Sequence, residues 1–448
     1  MALIDNIDAV IRAIGGFLWG WPLIIFFVVT GVVFTIAFRG IQFRYFFTAW
    51  KYVFQSEDSG GTQGAALSPL QAFLNTLSAS LGNGSFAGMS TAIYAGGPGA
   101  AFWVFLLGFI SMPVRFAEVF CGTTVTTRLP NGAVRGGPMA YIAQAPGGRI
   151  ITSLYVACCL LLCFVSGCAM QCQAITGGLV QVTAWPPALF AGLLFALLVY
   201  IVSGGSRRIF KLSDMIVPVK VALFFIATGI AFLMHAKGIG AALHTILRYA
   251  FTPGAMSGGV IGYTIQDAIR YGMVRTLNAT EAGIGTAGIL YGATGSTATI
   301  RNGIAAMVTT FISNHLVCCS LLLLMVVSGA WNSGYQGIDM TVYAYSTVFG
   351  SWGSIVVTLL SSMFGLGVLV AYVYIGRECW MYFTEGKYDT AYYAIYCLCA
   401  LVGSLAKIDL VWNAIDVAVA GLLITNLYAL WYMMPRIRHA VQQYQADV

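Results

Sequence analysis

Long apolar runs recur along this chain, several of them reaching the ~20 residues that cross a hydrocarbon core. The polar and glycine-rich breaks between them predict helices at about 14–38, 67–95, 100–126, 150–181, 186–204, 212–235, 254–275, 302–329, 351–376, 390–406 and 411–434. That pattern describes a polytopic all-α membrane protein with about eleven crossings. Two of the segments are poor membrane helices. The first carries "LGNGSFAG", with Gly82, Gly84 and Gly88 around Asn83 and Ser85. The other, "GAMSGGVIGYTIQDAIRYGMV", carries Gly258, Gly259, Gly262, Thr264, Gln266 and Asp267. Glycine costs a helix about 1 kcal/mol relative to alanine, and unpaired backbone groups in lipid cost several more. Such segments persist where they are buried in protein or line a wet cavity.

Close helix packing through Gly84-x-x-x-Gly88 accounts for one such segment taken alone. Two of them in matching positions predict more. If the helix at 67–95 is the first of ten, the helix at 254–275 is the sixth and runs the opposite way. This predicts an inverted repeat of five plus five helices, 67–235 and 254–434, behind an extra N-terminal helix at 14–38. In such a fold broken helices aim their N-termini at an anionic group and their freed carbonyls at a cation. A zwitterionic amino acid together with a monovalent cation suits that arrangement.

Composition and charge narrow the class. Hydrophobic residues make up 59% of the chain and charged residues 8%, against roughly 25% charged in soluble domains. The formal net charge of +7 is topological: sixteen loop Lys and Arg, from Arg39 to Arg438 and including Arg270 and Arg275, fall on one side, and four on the other. The positive-inside rule then puts the N-terminus outside and the C-terminus in the cytoplasm of an inner (plasma) membrane. Basic residues scattered singly over short loops give no face for nucleic acid. Asp5 and Asp8 before Arg12 are the wrong charge for a signal-peptide n-region. Eleven cysteines, nearly all inside predicted helices and without a C-x-x-C pair, predict packing residues and neither disulfides nor a metal centre. Four histidines without an evident catalytic partner argue against an intramembrane enzyme. No loop is long enough for a signalling domain, so a receptor is disfavoured too, and no obligate protein partner is implied.

The order and spacing of several stretches resemble the alanine or glycine:cation symporter family over nearly the whole chain. They include "GVVFTIAFRGIQFRYF", "LSASLGNGSFAGMSTAIYAGGPGAAFW", "RFAEV", "GGPMAYI", "GCAMQCQAI", "SGGSRRIFKLSDMIVP", "RTLNATEAGIGTAGI", "FISNHLVC", "GRECWMYFTEG" and "WNAIDVAVAGLLITNLYAL". The resemblance implies a leucine-transporter-like 5+5 fold and import of small neutral amino acids, with sodium as co-substrate and no other cofactor. It implies that Gly82, Asn83, Gly84, Ser85 and Gly88 contact substrate, joined by Gln171 and by Gly258, Gly259, Thr264 and Gln266 of the sixth core helix. It implies a sodium position at Leu81, Gly82 and Gly367. Asp267, Glu281 and Asp416 are candidates for coupling or gating; Gln266 and Asp267 are expected near the cytoplasmic end of the sixth helix, and Asp267 is also spaced to pair with Arg270. Arg115 and Glu118 are spaced to pair on one helix face and are read as structural. The chain departs from the family where hydroxyls would ligate sodium, having Gly367 and Val368, with Ser361 and Ser362 one to two turns away. That departure motivates a second expectation, a proton-coupled or uncoupled carrier.

Overall fold

Residues 18–54, 66–128, 134–252, 265–405 and 408–447 are described by the computed structural model. Among them the chain is helical apart from one short antiparallel hairpin, β1 (Thr127–Arg128) and β2 (Val134–Arg135). Six helices are long and apolar enough to cross a membrane, three shorter apolar helices accompany them, and two further crossings are interrupted. Eleven candidate crossings result, in agreement with the hydropathy pattern.

The extra N-terminal helix is α1 (Trp21–Ala37), followed by the short amphipathic α2 (Phe46–Phe54). The first core helix is interrupted: α3 (Pro69–Ser80), a wide π turn at Gly84–Gly88, then α4 (Met89–Gly96). Its start follows from sequence, because Ser68 and Gln71 form a reciprocal capping box ahead of Pro69. The second core helix is α5 (Ala100–Thr124). The third is α6 (Gly148–Phe164) and α7 (Met170–Thr183), joined through a π turn at Val165–Ala169. Then come α8 (Pro187–Ser203) and α9 (Gly205–Met234), and the short α10 (Ile239–Phe251). The sixth core helix is interrupted again, as α11 (Ile265–Thr280) and α12 (Thr286–Gly292). The seventh is α13 (Thr299–Thr310) and α14 (Cys319–Val327), with a π stretch at Phe311–Cys318 between them. After the short α15 (Gly337–Phe349) come α16 (Gly353–Phe383), α17 (Asp389–Gly403) and α18 (Ile408–Asp447).

Burial separates the centre from the rim. In α5, 78% of the apolar window is buried inside the protein, against 28% in α9. The second core helix is thus a scaffold against which α11, α12 and α13 pack, while α9 presents most of its surface outward. Among the described residues the sixth core helix is interrupted at 281–285; Gly258, Gly259 and Gly262 lie outside them. Arg270 and Arg275, read from sequence as loop charges, lie inside α11. Residues 265–280 stay helical because α4 and α5 cover their polar flank, so that weak hydropathy there does not break the helix.

Candidate functional site

Both interruptions leave backbone groups that helices normally satisfy internally. In the first, Leu81 departs from helical geometry (φ −99°, ψ 80°) after the last turn of α3. The carbonyls of Ser78 and Leu81 accept hydrogen bonds from Lys220 Nζ on α9, at 3.2 and 2.9 Å. Asn83 is held by Gln171 of α7, whose Oε1 accepts from the Asn83 backbone N–H at 3.1 Å and from Asn83 Nδ2 at 3.0 Å. The Gln171 amide donates in turn to the Ser166 carbonyl, freed by the π turn of the third core helix, at 3.0 Å. Ser361 of α16 donates to Asn83 Oδ1 at 2.5 Å. One polar chain therefore ties the first, third and eighth core helices together at the break.

The second interruption is built from positive-φ residues, Glu281 (φ 54°), Gly283 (φ 92°) and Gly285 (φ 88°). Glycine adopts this region without a Cβ penalty, which explains two of the three. A buried pair on α5 clamps both ends of the gap. The Arg115 guanidinium donates to the Thr280 carbonyl at the end of α11, while Glu118 Oε1 accepts from the Gly285 N–H at 2.7 Å, just ahead of α12. A cation thus faces a helix C-terminus and an anion a helix N-terminus, the favourable sense for both dipoles. The two side chains are fully buried and pair at 3.2 Å. Asn426 of α18 completes the clamp, donating to Glu118 Oε1 at 3.0 Å and to the Gly283 carbonyl at 2.8 Å. Reading Arg115 and Glu118 as a structural pair agrees with this geometry.

A cavity of about 40 Å³ lies where the two interruptions meet. Gly82, Gly84 and Ser85 line it from the first core helix, Gln171 and Met170 from the third, and Asn278 and Glu281 from the sixth. Val368 and Tyr372 of α16 and Ile415 and Val419 of α18 close it. Ser85 Oγ is buried beside the Cys318 thiol. The Glu281 carboxylate accepts from Thr286 Oγ1 at 2.9 Å and from the Tyr372 hydroxyl. A larger vestibule of about 330 Å³ lies on the side where α4 and α7 end, and Asn83 and Met170 stand at its floor. Met170 lines both spaces, and Asn83 lines the larger one beside it.

Of the residues singled out from sequence, Gly82, Gly84, Ser85, Gln171 and Glu281 come together at the cavity, with Asn83 at its edge. Gly88 faces the Arg275 side chain on the far side of the π turn. Gln266 is exposed in the first turn of α11. Asp267 sits in that same turn, where its carbonyl lies against Gly96 at the end of α4. Both are therefore at the end of α11 opposite the break; about fourteen residues, ~21 Å at helical rise, separate Asp267 from Glu281. Asp416 faces Arg275 and Asn278. Gly258, Gly259 and Thr264 lie outside the described residues.

The three residues expected at a sodium position have these neighbours. At Leu81 and Gly367 the structure has the Lys220 ammonium, and Gly82 turns toward Val368 and Gln171. Sequence reasoning missed Lys220, Asn278 and Tyr372. Lys220 was detectable as the one lysine in the middle of the apolar 30-residue α9.

The family model described as the sodium:alanine symporter family matches residues 4–448. A transporter from Haemophilus influenzae is 32% identical over 429 residues, 95% of this chain and 93% of that protein. The sodium/alanine symporter AgcS of Methanococcus maripaludis is 27% identical over 431 residues, 94% of each chain. The probable sodium/glutamine symporter GlnT of Bacillus subtilis is 26% identical, over 95% of this chain and 88% of that one. Among solved structures, MhsT in complex with L-phenylalanine superposes with a TM-score of 0.56 at 15% identity, over 84% of this chain and 98% of that one, which shows the leucine-transporter-like fold. With that fold and a match along almost its entire length, the chain belongs to the sodium:alanine symporter family of membrane amino-acid transporters.

Proposed function

We propose that this protein is a secondary carrier that imports a small neutral amino acid, of the alanine or glycine type, by alternating access around the cavity between the two interrupted helices. The carrying observation is that the two breaks meet at one small cavity, beside a larger pocket with which it shares Met170 as a lining residue. A space of about 40 Å³ holds about three water-sized groups by the measure in which one water needs ~10–15 Å³. The small size of that space favours a compact substrate over one the size of glutamine. In this reading the substrate carboxylate meets the Ser85 hydroxyl and the backbone near Gly84, and its ammonium meets Glu281 and Asn278. Gln171 acts through Asn83, holding the broken backbone in shape.

Binding and rocking of the two repeats, 67–235 and 254–434, do the work, and no covalent chemistry is required. The loop charges that remain after Arg270 and Arg275 are removed from the count still lie mostly on one side, which supports an external N-terminus and a cytoplasmic C-terminus in an inner membrane. Uptake of radiolabelled alanine into proteoliposomes, with unlabelled glycine and glutamine as competitors, tests the reading. Glycine should compete and glutamine should not. A lack of uptake or exchange of every neutral amino acid tried would retire it. A second reading, transport without bound sodium, is favoured by Gly367 and Val368, whose side chains offer no oxygen to a hard cation.

A further inference from the structure

The end of α3 is where this fold gathers free carbonyls, and a helix C-terminus with unwound carbonyls is a place for a cation. The cation there is already part of the chain. Lys220 Nζ lies 2.9 Å from the Leu81 carbonyl, 3.2 Å from the Ser78 carbonyl and 3.4 Å from Ser78 Oγ. The Phe364 ring lies 5.4 Å from it. Lys220 is fully buried although α9 is a rim helix, and among the described residues no carboxylate pairs with it.

The eighth core helix is shaped to the lysine. A Cβ added at Gly367 would stand 2.4 Å from Lys220 Nζ and 2.8 Å from Ser78 Oγ, both closer than real contacts allow. Ser78 Oγ donates to the Gly367 carbonyl at 2.8 Å, which uses that oxygen as well. The next residue, Val368, brings only methyl groups. A sodium ion requires several oxygens converging on one point, and here the converging oxygens are spent on an ammonium group.

We infer that Lys220 is a tethered cation that replaces a bound sodium ion between the first, fifth and eighth core helices. Opening the first core helix relative to α9 then breaks hydrogen bonds to a lysine, where a sodium-bound carrier would release an ion. The transport arm of the following test rests on the carrier reading above; the melting arm does not.

Purified protein is melted in sodium chloride and in choline chloride at equal ionic strength, and proteoliposomes are assayed for alanine uptake with either salt outside. The wild-type protein should melt at the same temperature in both, and its uptake should agree within about two-fold, far inside the roughly ten-fold effect expected of losing a charge-assisted contact. The double variant Lys220→Ala/Gly367→Ser, which places a hydroxyl where the ammonium stood, should melt higher in sodium than in choline. A wild-type melting temperature that rises in sodium, or wild-type uptake that falls roughly ten-fold or more without it, overturns the inference. If the double variant does not fold, the wild-type comparison still decides. Absence of uptake in both salts with sodium-independent melting removes alanine as substrate and upholds the lysine assignment.

Discussion

Lys220 and Gly367 occupy one space between them: the ammonium of the first fills the volume that any side chain on the second would need, 2.4 Å from where a Cβ would sit. The prediction is a stability defect. The atoms in the way are the ends of flexible side chains, so Gly367→Ala should cost the hydrogen bonds that Lys220 and Ser78 give up in moving aside, about 1 kcal/mol. Thermal melting in detergent reads it. Lys220→Ala combined with Gly367→Ala should recover part of the loss, and a single Gly367→Ala variant that melts like wild type would contradict the packing described.

A similar complementarity operates inside the cavity. A Cβ on Gly82 would stand 2.6 Å from Val368 Cγ2. Gly82→Ala should therefore depress alanine uptake by roughly ten-fold or more, and Val368→Ala on the same background should restore most of it, since paired sites that touch do not behave additively. Transport kinetics of the two single variants and the double variant check this.

The buried pair that clamps the sixth core helix should be among the most sensitive points in the protein. Arg115→Met or Glu118→Leu leaves one buried charge uncompensated and should cost about 3–5 kcal/mol. Folded yield and melting temperature are the readouts. The double replacement Arg115→Met/Glu118→Leu should be milder than the sum of the two singles.

Gln171 is expected to matter through Asn83. Gln171→Leu strips a buried backbone N–H of its acceptor, a loss of about 1–3 kcal/mol. It should appear as a raised KM for alanine with a smaller change in kcat, because the break is misshapen before the substrate arrives. Gln171→Glu, which keeps an acceptor for the Asn83 N–H, should retain more affinity than Gln171→Leu.

Much of the architecture was legible from the chain. Apolar run lengths located ten of the eleven crossings closely, for example α5 at Ala100–Thr124 and α8 at Pro187–Ser203. The first break was legible too, because Gly82 to Gly88 concentrate residues that a lipid-exposed helix cannot use. The second weak segment lies partly outside the described residues, and the gap observed further along was not read from sequence. Gly258 and Gly259 drew attention, while Glu281, Gly283 and Gly285 form the gap. The short helices α10 and α15 also escaped hydropathy, as neither is long enough to span a bilayer by itself.

The sequence by itself determined the class, the crossing number and the first broken helix, because these depend on local hydrophobicity and local helix propensity. Only the tertiary structure decided which oxygens a cation finds at the break. That question turns on side chains far apart in the chain: Lys220 reaches Ser78 and Leu81, and Gly367 is bare to admit it. Gln171 likewise gains its role from Asn83, and Arg115 from Thr280, across separations that no local pattern records. Burial in a medium without water is what makes each of those long-range partners obligatory.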